Sequence, residues 1–172
     1  MSQATKFALK LSLILLTTLL LTSPALAQRE SGRTIVASTS GAMTVRQADG
    51  STQTIDLEGT LRAGLYRGRI VIDHPSAGLI QETGERVTID STQAGTYQRE
   101  GSDLRISTIG QLALEQADGS RIVIDVISAG VIQQRGRSIV IDIIHAGIVQ
   151  ESGSRVTIHS SYTGDVGDGT DI

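Results

Sequence analysis

Apolar and polar positions alternate with a period of two along most of the chain, and the alternation restarts every 16 to 18 residues. Val87/Ile89, Leu104/Ile106, Ile122/Ile124, Ile139/Ile141 and Val156/Ile158 each put two aliphatic residues on one face of a short segment. The residues between and beside them are Arg, Thr or Val, and then Asp. Successive side chains of a strand point to opposite faces, so the pattern predicts strands with one buried side. A second apolar set appears at Ala77/Leu79, Ala129/Val131 and Ala146/Ile148. β-Branched residues dominate, glycine punctuates, and no window has helical spacing. The expected class is all-β.

A glycine marks each repeat, at Gly50, Gly68, Gly84, Gly101, Gly119, Gly136 and Gly153. Three residues earlier stands a glutamine in six units, Gln47, Gln81, Gln98, Gln116, Gln133 and Gln150, with Leu65 in the second. After the glycine comes an isoleucine and commonly an acid, at Asp56, Asp73, Asp90, Asp125 and Asp142. A short fixed period signals a repeat architecture. Each unit reads as strand, tight glycine turn, strand and connection.

Two ways of stacking such units are open. A β-solenoid of about seven 17-residue strand-turn-strand repeats would align equivalent residues in ladders about 4.8 Å apart. The six glutamines would then bond to their own copies as a self-assembly ladder. In an antiparallel β-meander, sandwich or barrel, strands would pair with their sequence neighbours instead. Repeat regularity favours the solenoid, and the aspartate column opposes it. Like charges about 5 Å apart in water cost about 0.8 kcal/mol per pair before screening. Burying two aliphatics per strand, at roughly 1.5–3 kcal/mol each, outweighs that. The solenoid is therefore expected, with the antiparallel arrangement as the alternative.

Composition places the protein in the cell. Residues 1–27 read as a signal peptide: Lys6 and Lys10, an apolar Leu11–Leu21 run, then Ala25-Leu26-Ala27. This pattern predicts cleavage before Gln28 and export to the periplasm, cell surface or extracellular space. Residues 28–38 read as a linker followed by a candidate leading strand at Thr34–Ala37, residues 39–159 as the β-repeat domain, and residues 160–172 as a flexible acidic Gly/Asp-rich tail. Loss of the leader leaves 13 arginines against 18 acids, a net charge of −5. That balance argues against nucleic acid or an anionic membrane as partner, and no stable span remains after cleavage. With no cysteine, packing and backbone pairing must hold the domain together.

Chemistry is sparse. His74, His145 and His159 lack zinc-ligand spacing, and no nucleophile elbow or phosphate-binding loop occurs. The aspartate row could hold calcium only with ligands from a neighbouring strand, and the Gly/Asp nonapeptide pattern is absent. A solvated charged row is the expected reading. The chain is expected to be non-enzymatic, without catalytic residues, resident metal or cofactor.

Ala77-x-Leu79-x-Gln81, Ala129-x-Val131-x-Gln133 and Ala146-x-Ile148-x-Gln150, each followed by glycine, resemble the curlin repeat of bacterial curli, over roughly residues 41–159. Asparagine, common in curlin turns, is absent here. The resemblance implies an exported structural protein that polymerises with itself into an extracellular amyloid fibre of the biofilm matrix, or joins other envelope and surface proteins in adhesion. The alternative is a monomeric periplasmic or cell-surface β-repeat binding module, or an envelope-biogenesis scaffold.

Overall fold

The computed structural model describes residues 32–167. The leader, its cleavage site and Gln28 lie outside the described residues. Eight strands follow in order: β1 Arg33–Gln47, β2 Thr52–Tyr66, β3 Arg69–Ile80, β4 Arg86–Glu100, β5 Asp103–Gln116, β6 Arg121–Arg135, β7 Ser138–Val149 and β8 Arg155–Val166. Each pairs antiparallel with the next, and β8 pairs with β1, closing a barrel.

The seven marker glycines explain the antiparallel order. Every one has a positive φ, between 62° and 87°, and sits in a turn between consecutive strands. A left-handed residue there reverses the chain within a few residues. The β2–β3 connection is one of three two-residue turns, with Arg67 (φ 43°) and Gly68 (φ 76°) both left-handed. Such residue pairs match the twist of hairpin strands. Successive units therefore run in opposite directions, and equivalent residues fall alternately at opposite ends.

This overturns the solenoid and supports its antiparallel alternative. The expected connection inside each unit is in fact mid-strand. In β6 the chain runs unbroken through Arg121-Ile-Val-Ile-Asp125 and on through Ser128-Ala-Gly-Val-Ile-Gln133. Two boundaries move as well. Residues 33–38 of the expected linker belong to β1, and residues 160–166 of the expected tail belong to β8. Ser160, Tyr162 and Val166 are buried there, so that segment is tied into the sheet.

The inner wall is the core. Ile35, Ile55, Leu104, Ile132, Ile139 and Ile158 are completely buried, and their outward neighbours are mostly polar. The register sets the width. Following paired residues round the barrel from Thr34 through Gly64, Val71, Ala94, Ile109, Ile127, Ala146 and Thr157 returns to β1 at Arg46, twelve residues on. That stagger tilts the strands, and an eight-stranded barrel is just wide enough for side chains to fill. Each strand also carries an inward glycine where the wall bends. At Gly130 an added Cβ would lie 2.8 Å from the Cα of Ile143 and closer still to the Asp142 carbonyl. A side chain there would push two paired strands apart.

Closure has a direct functional consequence. A sheet with no edge exposes no row of unpaired N–H and C=O groups to template another chain. The edge-seeded, curli-like amyloid fibre thus has no strand edge from which to grow. A binding module or scaffold built on one repeated face is not supported either. Matched positions alternate between the two ends and so do not line up as one continuous repeated face.

Candidate functional site

The glutamines expected to form a ladder do not meet one another. Gln81 donates to Asp56 (2.8 Å), Gln133 to Asp103 (2.8 Å) and Gln150 to Asp125 (2.9 Å). Gln116 accepts from Ser120 within its own turn, Gln47 lies opposite Val156, and Gln98 lies opposite Arg105. All six stand at or near strand ends, distributed between both ends of the barrel. Gln81, Gln133 and Gln150 brace neighbouring strands through carboxylates, and Gln116 braces its own turn.

The aspartates are dispersed by the same geometry. Across the ladders Asp73 faces Arg62 and Thr92, Asp125 faces Gln111 and Ile148, and Asp142 faces Val131 and Ser161. Gln111 and Gln150 both donate to Asp125 at 2.9 Å, and His159 bonds Asp142 at 2.8 Å on the exposed wall. Among the described residues no group of three or more His, Asp or Glu converges as metal ligands would.

The polar cluster that sequence reasoning missed lies inside. Seven strands each place a polar side chain on the inner wall near mid-strand, including Thr39, His74, Gln93, Thr108, Ser128, His145 and Ser160, all buried. The Nδ1 of His145 is 2.7 Å from the Ser128 hydroxyl and its Nε2 is 3.2 Å from that of Ser160. One nitrogen donates and the other accepts, so the ring is satisfied as the neutral form. The Nε2 of His74 meets the Thr39 hydroxyl at 2.8 Å, and its ring packs edge-on against Tyr162 with centroids 4.7 Å apart. Gln93 donates to Ser91 (2.9 Å) and accepts from Thr108 (2.7 Å). Among the described residues no buried side-chain polar atom lacks a partner.

Burial governs the titration of this layer. Loss of solvent lowers His74 to about 4, against a small opposing pull from Asp73. His145 is likewise lowered to about 4 by burial, with a further push from the positive charge of His159. Tyr162 is raised by burial, partly offset by its bond to Ser160. Both histidines are therefore neutral near pH 7.

His145 touches two serines, and among the described residues no carboxylate lies inside to orient it. The space beside His74, His145, Ser160 and Tyr162 is about 20 Å³. That admits about one water molecule. The alternation at Ser128 and His145 was the available signal, since both share the parity of the aliphatic inner face.

The outer wall is acidic at its middle. Asp56, Glu58, Asp73, Asp90, Asp125 and Asp142 all point to solvent. A lipid-facing barrel shows the reverse: an apolar outer band about 25 Å tall flanked by aromatic girdles. Here the outward apolar residues gather mainly on β5–β7. Ile109 (65% exposed) pairs with Ile127 (67%), and Ala129 pairs with Ile144 (56%). Asp125 and Asp142 lie within two residues of this patch on the same face.

No family model matches the chain, and no curated protein is similar to it. Among solved structures, Neisserial surface protein A is 8% identical with a TM-score of 0.49, the match covering 79% of this chain and 99% of that one. Ail, the attachment invasion locus protein of Yersinia pestis, is 10% identical with a TM-score of 0.45, covering 80% and 100%. Both are outer-membrane barrels, not curlins. DynF from the dynemicin biosynthesis pathway of Micromonospora chersina is 12% identical with a TM-score of 0.36, covering 80% of each chain. At these identities the likeness concerns barrel architecture alone.

Proposed function

We propose that this protein is an exported, non-enzymatic barrel of the cell envelope, a rigid water-facing body that works through what its ends present. The observation that carries this reading is the pairing of a filled interior with a charged exterior. Inside, the space beside the polar layer is about 20 Å³ and its buried polar atoms are already partnered, which leaves that layer no room for substrate or cargo. Outside, six acids on β2, β3, β4, β6 and β7 face solvent from the wall, where lipid immersion would strip their water. Neither nucleic acid nor a transmembrane position is part of this reading.

Fractionation of cells making the full chain tests it. The processed protein should come off with osmotic shock or a salt wash and stay folded without detergent. A protein released only by detergent would contradict the proposal.

A further inference from the structure

The antiparallel meander sorts charge along the barrel in a way the net charge conceals. The turns at Gly50, Gly84, Gly119 and Gly153 lie at one end, and those at Gly68, Gly101 and Gly136 lie at the other. The first end carries Asp49, Glu82, Glu85, Glu115, Asp118 and Glu151 against four arginines. The second carries Arg33, Arg67, Arg69, Arg99, Arg135 and Arg137, all exposed, with Arg105 just behind them. Among the described residues Glu100, Asp103 and Asp165 oppose these seven, and Glu100 and Asp103 are engaged locally. Glu100 pairs with Arg105 at 2.7 Å, and Asp103 accepts from Gln133 and Ser102.

We infer that this arginine end docks the barrel, end-on, against the anionic headgroups of a lipid surface; this rests on the water-facing barrel proposed above. The geometry favours a plane over a strand-like polyanion. The arginines sit on three separate turns and on the start of β1, around the rim of a closed barrel, where a flat layer of phosphates meets them together. Along the wall, solvent-facing acids on β2, β3, β4, β6 and β7 hold the body off the same surface. Tyr66, half-exposed at this rim, carries the Arg67 guanidinium 5.4 Å over its ring. Tyrosine is enriched at the headgroup level of membranes, where one end is apolar and the other wet. Val36, Val71 and Val140, partly exposed two or three residues inward from rim arginines, add an apolar collar behind the charges.

Vesicle sedimentation of the mature chain tests the inference, using phosphatidylcholine alone or mixed with phosphatidylglycerol. Binding is expected only to the mixed vesicles and should fall as salt shortens the screening length. A triple variant, Arg67→Asn, Arg135→Gln and Arg137→Gln, should bind about a hundredfold more weakly, each arginine near an anionic surface contributing roughly fivefold. Asparagine suits the left-handed backbone at position 67. The matched control, Arg46→Gln, Arg121→Gln and Arg155→Gln, removes the same charge from the opposite end and should bind within about threefold of the parent. Both variants are checked by circular dichroism and melting.

Equal losses in the two variants would show a net-charge effect and overturn the docking surface. Binding to phosphatidylcholine alone, or to neither vesicle, would overturn it too. So would tight binding to soluble heparin that mixed vesicles fail to displace, since the partner would then be a free polyanion. None of these outcomes touches the fractionation result, so the two proposals fail separately.

Discussion

The inner and outer walls of this barrel are made from the same strands, one residue out of phase, and they follow opposite rules. Along β7, Ile139, Ile141 and Ile143 vanish into the core while Val140, Asp142 and Ile144 face outward. Inside, size and polarity are constrained at almost every position. Outside, threonine, aspartate, arginine and isoleucine succeed one another with little cost. Because side-chain direction has a period of two, a slip of one residue would exchange the walls entirely. An aliphatic interior under a charged outer wall is what the proposed water-facing barrel requires.

Substitutions on the two walls should differ most. Ile141→Asp places an unpaired charge where exposure is 1% and should abolish cooperative folding, while Asp142→Ser, on the exposed wall, should shift stability by less than about 1 kcal/mol. Urea titration followed by circular dichroism measures both. Equal effects would erase the distinction between the walls.

Acid should reveal the inner polar layer next. His74 and His145 have folded values near 4 and an ordinary value of 6.5, so the unfolded chain takes up protons more readily. Their contribution is complete above pH 6.5, is lost progressively as pH falls from 6.5 to 4, and is constant below that. Each histidine accounts for about 3 kcal/mol at most. The double variant His74→Gln, His145→Gln should flatten this part of a stability-versus-pH curve. An unchanged slope would show that the histidines are not its source.

A smaller cost, about 2 kcal/mol, is expected for Gly130→Ala, whose new Cβ meets the backbone of β7. The outward neighbour Ala129→Gly should cost about 0.5–1 kcal/mol, from backbone entropy. The smallest effect belongs to Asp125→Asn, below about 1 kcal/mol, although it accepts from Gln111 and Gln150. Thermal melts of the four proteins rank them, and a larger loss at Asp125 than at Gly130 would break the comparison.

Much of the fold is legible in the residues. The glycine ruler marks the turns, and the Ile-x-Ile parity marks the inner face. The strand length is not, because the aliphatic alternation lapses at mid-strand. There Ser128 and Gly130, or His145 and Gly147, take the inward positions, and two half-strands appear where one runs through. The pairing was obscured for a different reason. Identical units suggest stacking like on like, yet one strand plus one reversing turn per unit makes neighbours antiparallel.

Ser160-x-Tyr162-x-Gly164-x-Val166 continues the inward parity of β8, but its glycine and aspartate content resembles a tail. The arginine end is written in the turns. Arg67-Gly68-Arg69 and Arg135-Gly136-Arg137 contrast with Asp49-Gly50-Ser51 and Asp118-Gly119-Ser120. It emerges only once alternate turns are known to share an end.

The seam between β1 and β8 tests the closed barrel most directly, since it joins the strands furthest apart in sequence. Ser40 and Thr163 are register partners on the outer wall, and the chain has no cysteine to compete. Residues paired across antiparallel strands lie about 4.5–5.5 Å apart, within the span of a disulfide. In the Ser40→Cys, Thr163→Cys variant, mild oxidation should give one intramolecular disulfide at monomer mass, regardless of protein concentration. Thiols that stay free in folded protein, or that bond only between molecules, would contradict closure.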